Sequence, residues 1–450
     1  MKDLRERLSA QGVHTLVATF TDVHGVAKGK YVPLAHLDDL LAEGVGFSGP
    51  SIAGSGLPRI GPRSEYWGRG AASTVTALPW LPGYARIVCD GYVAGEPFEA
   101  CPRQVLRRQV ERMSQHGWTL RTGIEPEFFL LKQQDGRWLP ADDADRLDKP
   151  SYDLKSLPRQ RDFLYALQRA LEACGLDVLQ LDHEDAQGQY EVNFGFDEAV
   201  ASADHLMLFK QAAHALAEER GMVFSMMPKP FADQPGSGMH FHVSLWEGRR
   251  HNERNLFVPH RGDGSIDPAA QLSALGRQFV AGVLAHSAGL TALAAPTVNG
   301  YKRLVVGGSL SGTSWAPATV SHGPNNRTAL VRTLYDRFEW RLPDASCNPY
   351  LATAGLIAAG LDGIERRLEL GPGCDDDLFQ ANPAQLAERG AVALPQNLGA
   401  AIDALRADAV LCEALGPLLT AQFVELKRAE YDAHARHVSD WELRRYAAKF

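Results

Sequence analysis

Polar and apolar residues alternate along several short stretches of this chain and recur at helical spacing in others. The sharpest alternation is Met239-His240-Phe241-His242-Val243-Ser244. At strand period His240, His242 and Ser244 fall on one face, and Met239, Phe241 and Val243 on the other. The stretch is fed by a loop, Lys229-Pro230-Phe231-Ala232-Asp233-Gln234-Pro235-Gly236-Ser237-Gly238. Its glycines let backbone N–H groups approach an anion. Taken alone, the segment reads equally well as a half-exposed strand after a flexible turn.

The same patterning predicts a hairpin over residues 14–34, a short helix over 36–42 and strands over 73–78 and 86–93. Residues 43–70, rich in glycine and proline, read as a long loop. Helical spacing takes over at residue 102, with helices at 102–116, 158–174, 201–220, 267–290, 348–370 and through much of 398–450. Strands are expected between them at 118–131, 176–182, 190–196 and 223–246, and residues 132–157 read as a polar excursion. This order predicts an α+β protein, with a small β-rich domain ending near 97–102 and a larger domain of helices on a largely antiparallel sheet.

Composition narrows the function. A chain of 450 residues with 45% apolar content has ample core, and a net charge of −8 without a basic block argues against nucleic acid. No apolar run reaches membrane-spanning length, and no apolar h-region follows Met1, so neither a membrane partner nor a leader peptide is expected. The six cysteines are scattered without a CxxC pair, which predicts neither a disulfide framework nor a thiolate zinc site and suggests a reducing cytoplasm.

Four stretches place ionisable groups on apolar strands. Glu125 and Glu127 share a face in Gly123-Ile124-Glu125-Pro126-Glu127-Phe128-Phe129, and a divalent cation would relieve their repulsion. Glu184 and Glu191 flank the Gly188 turn; His240 and His242 have been described; Glu339 and Arg341 share a face opposite Phe338 and Trp340. Arg327, Arg332 and Arg337 lie close by in sequence. An exposed acidic rim, a solvated turn and surface salt bridges are the plainer readings of the same residues. Together, however, carboxylates without thiolates favour Mg²⁺ or Mn²⁺. Divalent ions, arginines and a glycine loop point to phosphoryl transfer from a nucleotide. No G-x-x-x-x-G-K-[ST] is present, so residue chemistry alone stops at a metal-dependent, phosphate-handling enzyme without a P-loop.

These stretches resemble the glutamine synthetase family over nearly the whole chain. Lys229 to Ser244 resembles that family's ATP-region signature; Glu125-Pro126-Glu127-Phe128-Phe129, Asn299-Gly300-Tyr301-Lys302-Arg303-Leu304, Asn326-Arg327, Glu339-Trp340-Arg341-Leu342-Pro343-Asp344 and Asn348-Pro349-Tyr350 match in order and spacing. The resemblance implies a β-grasp domain over residues 1–98 and a catalytic domain with a curved antiparallel sheet over 99–450. It also implies a homododecamer of two stacked rings, with active sites between subunits. Glu127, Glu184 and Glu191 would hold one metal, and Glu125, His240 and Glu339 a second. His242, Ser244, Phe196, Arg332 and Arg337 would serve ATP. Arg303, Arg327 and Arg341 would grip glutamate and its acyl phosphate, with Gly236 and Ser51 also on the substrate side. Arg303, Arg327 and Glu191 would be catalytic.

Two departures bear on the amine. The family loop Phe-Asp-Gly-Ser-Ser-Ile, whose aspartate helps bind ammonium, reads here Phe47-Ser48-Gly49-Pro50-Ser51-Ile52. The flap position eight residues after Tyr301, a glutamate in the family, reads Ser309. Loss of two carboxylates weakens an ammonium site and leaves room for a substituent on nitrogen. The chain also resembles the type III-like branch, which includes γ-glutamylmethylamide synthetases. The leading expectation is therefore ATP-dependent ligation of glutamate to a short alkylamine, methylamine first. A plain glutamine synthetase is the alternative, and a non-catalytic family member the remote one. The family's adenylylated tyrosine loop resembles Asp377-Leu378-Phe379-Gln380, where Phe379 has no hydroxyl to modify.

Overall fold

The computed structural model describes residues 2–248, 253–267, 270–307, 309–311, 315–379, 384 and 392–450. The hairpin expected near the N-terminus is present. Thr15–Thr21 buries Leu16, Ala18 and Phe20, turns at Asp22, whose carboxylate accepts from the N–H groups of His24 and Val26, and returns antiparallel as Ala27–Pro33. Tyr84–Val93 runs parallel to Thr15–Thr21 on its other side, so the small sheet is mixed.

Three expectations for this region are corrected. Residues 43–70 are not only loop, because Val45–Ser48 and Glu65–Gly70 pair antiparallel and extend the sheet from Tyr84–Val93. Glycines disguised these strands, yet they are what the packing requires: a Cβ at Gly70 would lie 2.5 Å from Ile87 Cδ1. The strand expected over 73–78 shrinks to Thr76–Ala77 behind a 3₁₀ turn, Ala72–Thr74. A charged N-terminal helix, Lys2–Ala10, was not anticipated; it contributes Leu8 to a small core with Leu16, Leu37, Leu40 and Ile87.

The large sheet is built around one long strand, Trp118–Gln134. Met239–Glu247 pairs with it on one side and Gln189–Phe194 on the other, both antiparallel. Val178–His183 lies beyond Gln189–Phe194, and Phe338–Trp340 and Val331–Thr333 beyond Met239–Glu247. The expected polar excursion after residue 131 includes a short return strand, Arg137–Pro140. Alternation divides the long strand between two environments. Ile124, Phe128 and Leu130 enter the main core, where the Phe128 ring meets Phe224, Phe209 and Phe163 at 5.1, 5.8 and 6.2 Å. Glu125 and Glu127 are thereby turned to the opposite face.

Helices Pro102–Ser114, Arg161–Ala173, Ala199–Glu218 and Pro349–Glu365 supply the apolar layer. Pro349–Glu365 is buried almost along its length and begins at Asn348, whose side chain accepts from the N–H groups of Tyr350 and Leu351. The same side chain donates to the carbonyls of Asp22 and Val23, joining the helix to the N-terminal hairpin. Arg103 forms a second buried junction, to Asp204 and Asp90. The helix expected over 267–290 begins at Ala274 and breaks at His286, between Ala274–Ala285 and Ser287–Ala294; residues 268 and 269 lie outside the described residues. Both His286 ring nitrogens are engaged there, one with Asp408 at 2.7 Å and one with Asp362 at 3.0 Å. The six cysteines are free. Among the described residues, no single helix is long and apolar enough to cross a membrane.

Candidate active site

Strand register assembles the site. Met239–Glu247 sets His240 opposite Glu125 and His242 opposite Gly123; Phe338–Trp340 sets Glu339 opposite His242; Gln189–Phe194 sets Glu191 opposite Glu127. Four strands thus converge on two adjoining cavities that share Glu125.

The first cavity, about 480 Å³, is lined by Glu125, Glu127, Glu184, Glu191, His240 and Glu339 together with Arg303, Arg327, Arg341 and Gly236. All six expected metal ligands therefore meet. The tightest donor groups differ from the sets implied by resemblance: Glu125, Glu191 and His240 form one, and Glu125, His242 and Glu339 the other. Glu127 stands apart from both groups, accepting from the Gly238 N–H at 2.9 Å and from Gln189 at 3.0 Å. Gly238 is glycine for lack of room, since a Cβ there would lie 2.8 Å from His240 Nε2 and 2.9 Å from both Arg303 Nη2 and Glu127 Oε1.

The charges are strongly coupled. Burial pushes the carboxyls of Glu184 and Glu191 well above the usual range, and the neighbouring Glu127 adds to it. Burial also raises Glu127 itself. Glu339 behaves oppositely: burial opposes its ionisation, but the Arg341 guanidinium, with a hydrogen bond from Arg332, holds it well below the usual range. It accepts from Arg332 Nη1 at 2.9 Å and also from Arg341. Burial, then Arg341, depresses His240, leaving a neutral imidazole suited to ligation. Crowded buried carboxylates beside a neutral imidazole fit a hard divalent cation. Among the described residues, the buried Nε of Arg341 has no hydrogen-bond partner, which fits an anionic substrate.

The second cavity, about 340 Å³, is lined by Phe196, His242, Ser244 and Arg337 with Trp246 and Asn193. Phe196 and Trp246 stack at 6.4 Å with planes 14° apart, and Arg121 lies 4.7 Å over the Trp246 ring. Arg332 lines neither cavity; it donates to Glu339 and to Asn325 Oδ1. Ser51 is not brought to either cavity: it sits in an exposed turn, Gly49–Ser51, donating to Ser48 at 3.1 Å.

Several residues escaped the sequence reading. Gln189 and Asn193 flank Glu191 at strand period and share its face; Asn193 donates to Glu125 at 3.0 Å. That spacing was a usable signal. Asp185, Ser151, Tyr152, Lys229 and Trp315 also line the first cavity from loops that carry no periodic pattern. From the flap, Ser309 lines it too; Gly308, Gly312, Thr313 and Ser314 lie outside the described residues, as does Gln380 after Phe379.

Known proteins share this arrangement. The family model described as the glutamine synthetase catalytic domain matches residues 99–446. A glutamate–methylamine ligase from Methyloversatilis universalis is 46% identical over 449 residues, covering 100% of this chain and 99% of its own. A glutamine synthetase from Methanococcus maripaludis is 37% identical, covering 98% of each chain. A solved structure described as a GmaS/ADP complex superposes with a TM-score of 0.89 at 35% identity, over 99% of this chain and 100% of that one. With its sequence matched at full length and its fold reproduced, this chain belongs to the glutamine synthetase family.

Proposed function

We propose that the protein joins the γ-carboxylate of glutamate to a short alkylamine, methylamine first, with ATP cleaved to ADP and phosphate. The junction of two unlike cavities at Glu125 carries this reading. The aromatic cavity suits a nucleobase, and the acidic, arginine-lined chamber suits phosphoryl groups and glutamate. The named ligase relative and the serines at 48 and 309 favour an alkylamine over ammonium.

Enzymes of this family use ATP and divalent metal ions. We assign Mg²⁺, with Mn²⁺ as a substitute, to the donors Glu125, Glu127, Glu184, Glu191, His240 and Glu339. Ions held there would supply charge neutralisation for the transferring phosphoryl group. The protein's part is to position. Phe196 and Trp246 hold the base, while His242, Ser244 and Arg337 follow toward the phosphates. A glutamate γ-carboxylate oxygen attacks the γ-phosphorus, forming an O–P bond as ADP departs. The γ-glutamyl phosphate carries a leaving group that the free carboxylate lacked. Arg303, Arg327 and Arg341 grip its anionic oxygens and stabilise the charge that develops there. The amine, once its ammonium proton has passed to a carboxylate of the chamber, attacks the acyl carbon; phosphate leaves as the C–O bond breaks and takes the second proton lost from nitrogen.

The Ser48–Ser51 turn is proposed to serve a neighbouring subunit in a dodecamer of two rings. Its support is that, among the described residues, this turn lines no part of either cavity of its own chain. The free thiols support a cytoplasmic location. A glutamine synthetase using ammonium is the second reading, favoured by relatives such as that of Methanococcus maripaludis. Phosphate release with glutamate, ATP, Mg²⁺ and a panel of ammonium, methylamine, ethylamine, aniline and putrescine decides between them. Methylamine or ethylamine should exceed ammonium in kcat/KM by about tenfold, or ~1.4 kcal/mol. A preference for ammonium selects the second reading, and no turnover selects a non-catalytic protein.

A further inference from the structure

We propose that Asp185 and the indole of Trp315 form the subsite that receives the incoming amine, with Trp315 setting the preference for an N-alkyl group. This rests on the ligase reading above and deepens it. The first cavity is lined mostly by charged and polar residues, with Pro235 and Ala316 among the small apolar ones, and Trp315 and Tyr152 are its large aromatic residues. Trp315 is 48% exposed.

Three contacts place the Trp315 ring. Its Nε1–H donates to Asp185 Oδ2 at 2.7 Å. Its carbonyl accepts from Arg341 Nη2 at 3.2 Å. Phe379 meets the ring edge to face at 6.0 Å. Trp315 therefore spans from the acidic wall to the arginine that grips the acyl group, which is where a nucleophile must stand. The other Asp185 oxygen accepts from the Ser151 hydroxyl. Among the described residues both side-chain donors to Asp185 are neutral, whereas Glu339 is held by two arginines.

A primary alkylammonium presents a cation joined to hydrocarbon. Asp185 attracts the cation, and the indole accepts the alkyl group by burial and the cation by its π face. Ammonium gains only from the charge. Ser309 and Ser311, whose hydroxyls lie 2.8 Å apart at the same cavity, add no competing charge. The carboxylate missing at positions 48 and 309 is thus replaced within the chamber by Asp185, beside an apolar wall that the sequence reading did not contain.

The test measures ATP-dependent phosphate release by the full-length enzyme, with separate KM values for amine, glutamate and ATP. Trp315→Ala is expected to lower kcat/KM for methylamine about tenfold more than for ammonium, with glutamate and ATP KM unchanged. Trp315→Phe, which keeps a ring but loses the N–H, is expected to retain most of the methylamine preference. Asp185→Asn should raise the KM of every amine about tenfold and spare glutamate and ATP. Equal losses for methylamine and ammonium in both Trp315 variants, or an Asp185→Asn effect on glutamate KM instead of amine KM, would overturn the subsite. A wild-type preference for ammonium sinks the alkylamine reading separately. The subsite then stands if Asp185→Asn raises the ammonium KM and falls if it does not. A wild-type enzyme that turns over no amine removes both.

Discussion

Glu125 stands directly opposite His240 in the register of the two central antiparallel strands and belongs to both tight donor groups of the site. Glu125→Gln keeps the shape and removes the charge that both groups share. Activity should fall by about 10²–10³-fold. The Mg²⁺ needed for half-maximal rate should rise, and the melting-temperature gain on adding Mg²⁺ should shrink. An unchanged Mg²⁺ dependence would remove Glu125 from the metal site.

Gly238 has no space for a side chain among His240, Arg303 and Glu127. Gly238→Ala should therefore displace groups on both sides of the chamber. The expected loss in kcat is on the order of a hundredfold, with the far-UV circular dichroism unaltered.

The stacked pair Phe196 and Trp246 walls the second cavity, whereas Arg303, Arg327 and Arg341 line the first. Phe196→Ala should raise the KM for ATP roughly tenfold, in the range of an aromatic–base stack. The KM for glutamate should hold. A change confined to glutamate would reverse the assignment of the two cavities.

Asn348 caps the buried helix Pro349–Glu365 and donates to two carbonyls of the N-terminal hairpin. Asn348→Ala removes the cap and takes a donor from both carbonyls, of which Asp22 keeps the Gly25 N–H. A loss of about 2–3 kcal/mol in unfolding free energy is expected from denaturant titration. Asn348→Asp should recover the cap but not the hairpin contact.

His286 gives a pH signature away from the site. Burial alone would depress it, but hydrogen bonds to Asp408 and Asp362 raise it above its ordinary value of 6.5. Because the folded value is the higher one, the charged form stabilises the native state fully below about pH 6.5, and that contribution fades as pH rises through the folded value. Raising pH from 6 to 8 should lower the melting temperature by on the order of 1 °C more in the wild type than in His286→Gln. Parallel slopes in the two proteins would count against it.

The chemistry-bearing strands were legible because period-two alternation is local. Glu125 with Glu127, His240 with His242, and Glu339 with Arg341 could each be placed on a shared face from the chain alone. Most helices were legible because helical spacing is local too; the charged Lys2–Ala10 and the break at His286 were not. At that break His286 bonds two aspartates 76 and 122 residues away, which no local pattern signals. The strands Val45–Ser48 and Glu65–Gly70 were hidden, since their glycines are chosen by a neighbouring strand and not by strand propensity.

By itself the sequence determined the inventory: which residues carry charge, which face of each strand they take, and which family the ordered motifs belong to. Only the tertiary structure decided who shares a cavity. Register between distant strands made Glu125 common to both donor groups, drew Glu127 toward Gly238, and turned His242 toward the aromatic pocket. A 130-residue separation brought Trp315 onto Asp185. Alternation acts within a few residues, whereas register and loop closure depend on packing energies summed over the whole fold, so no local pattern announces them.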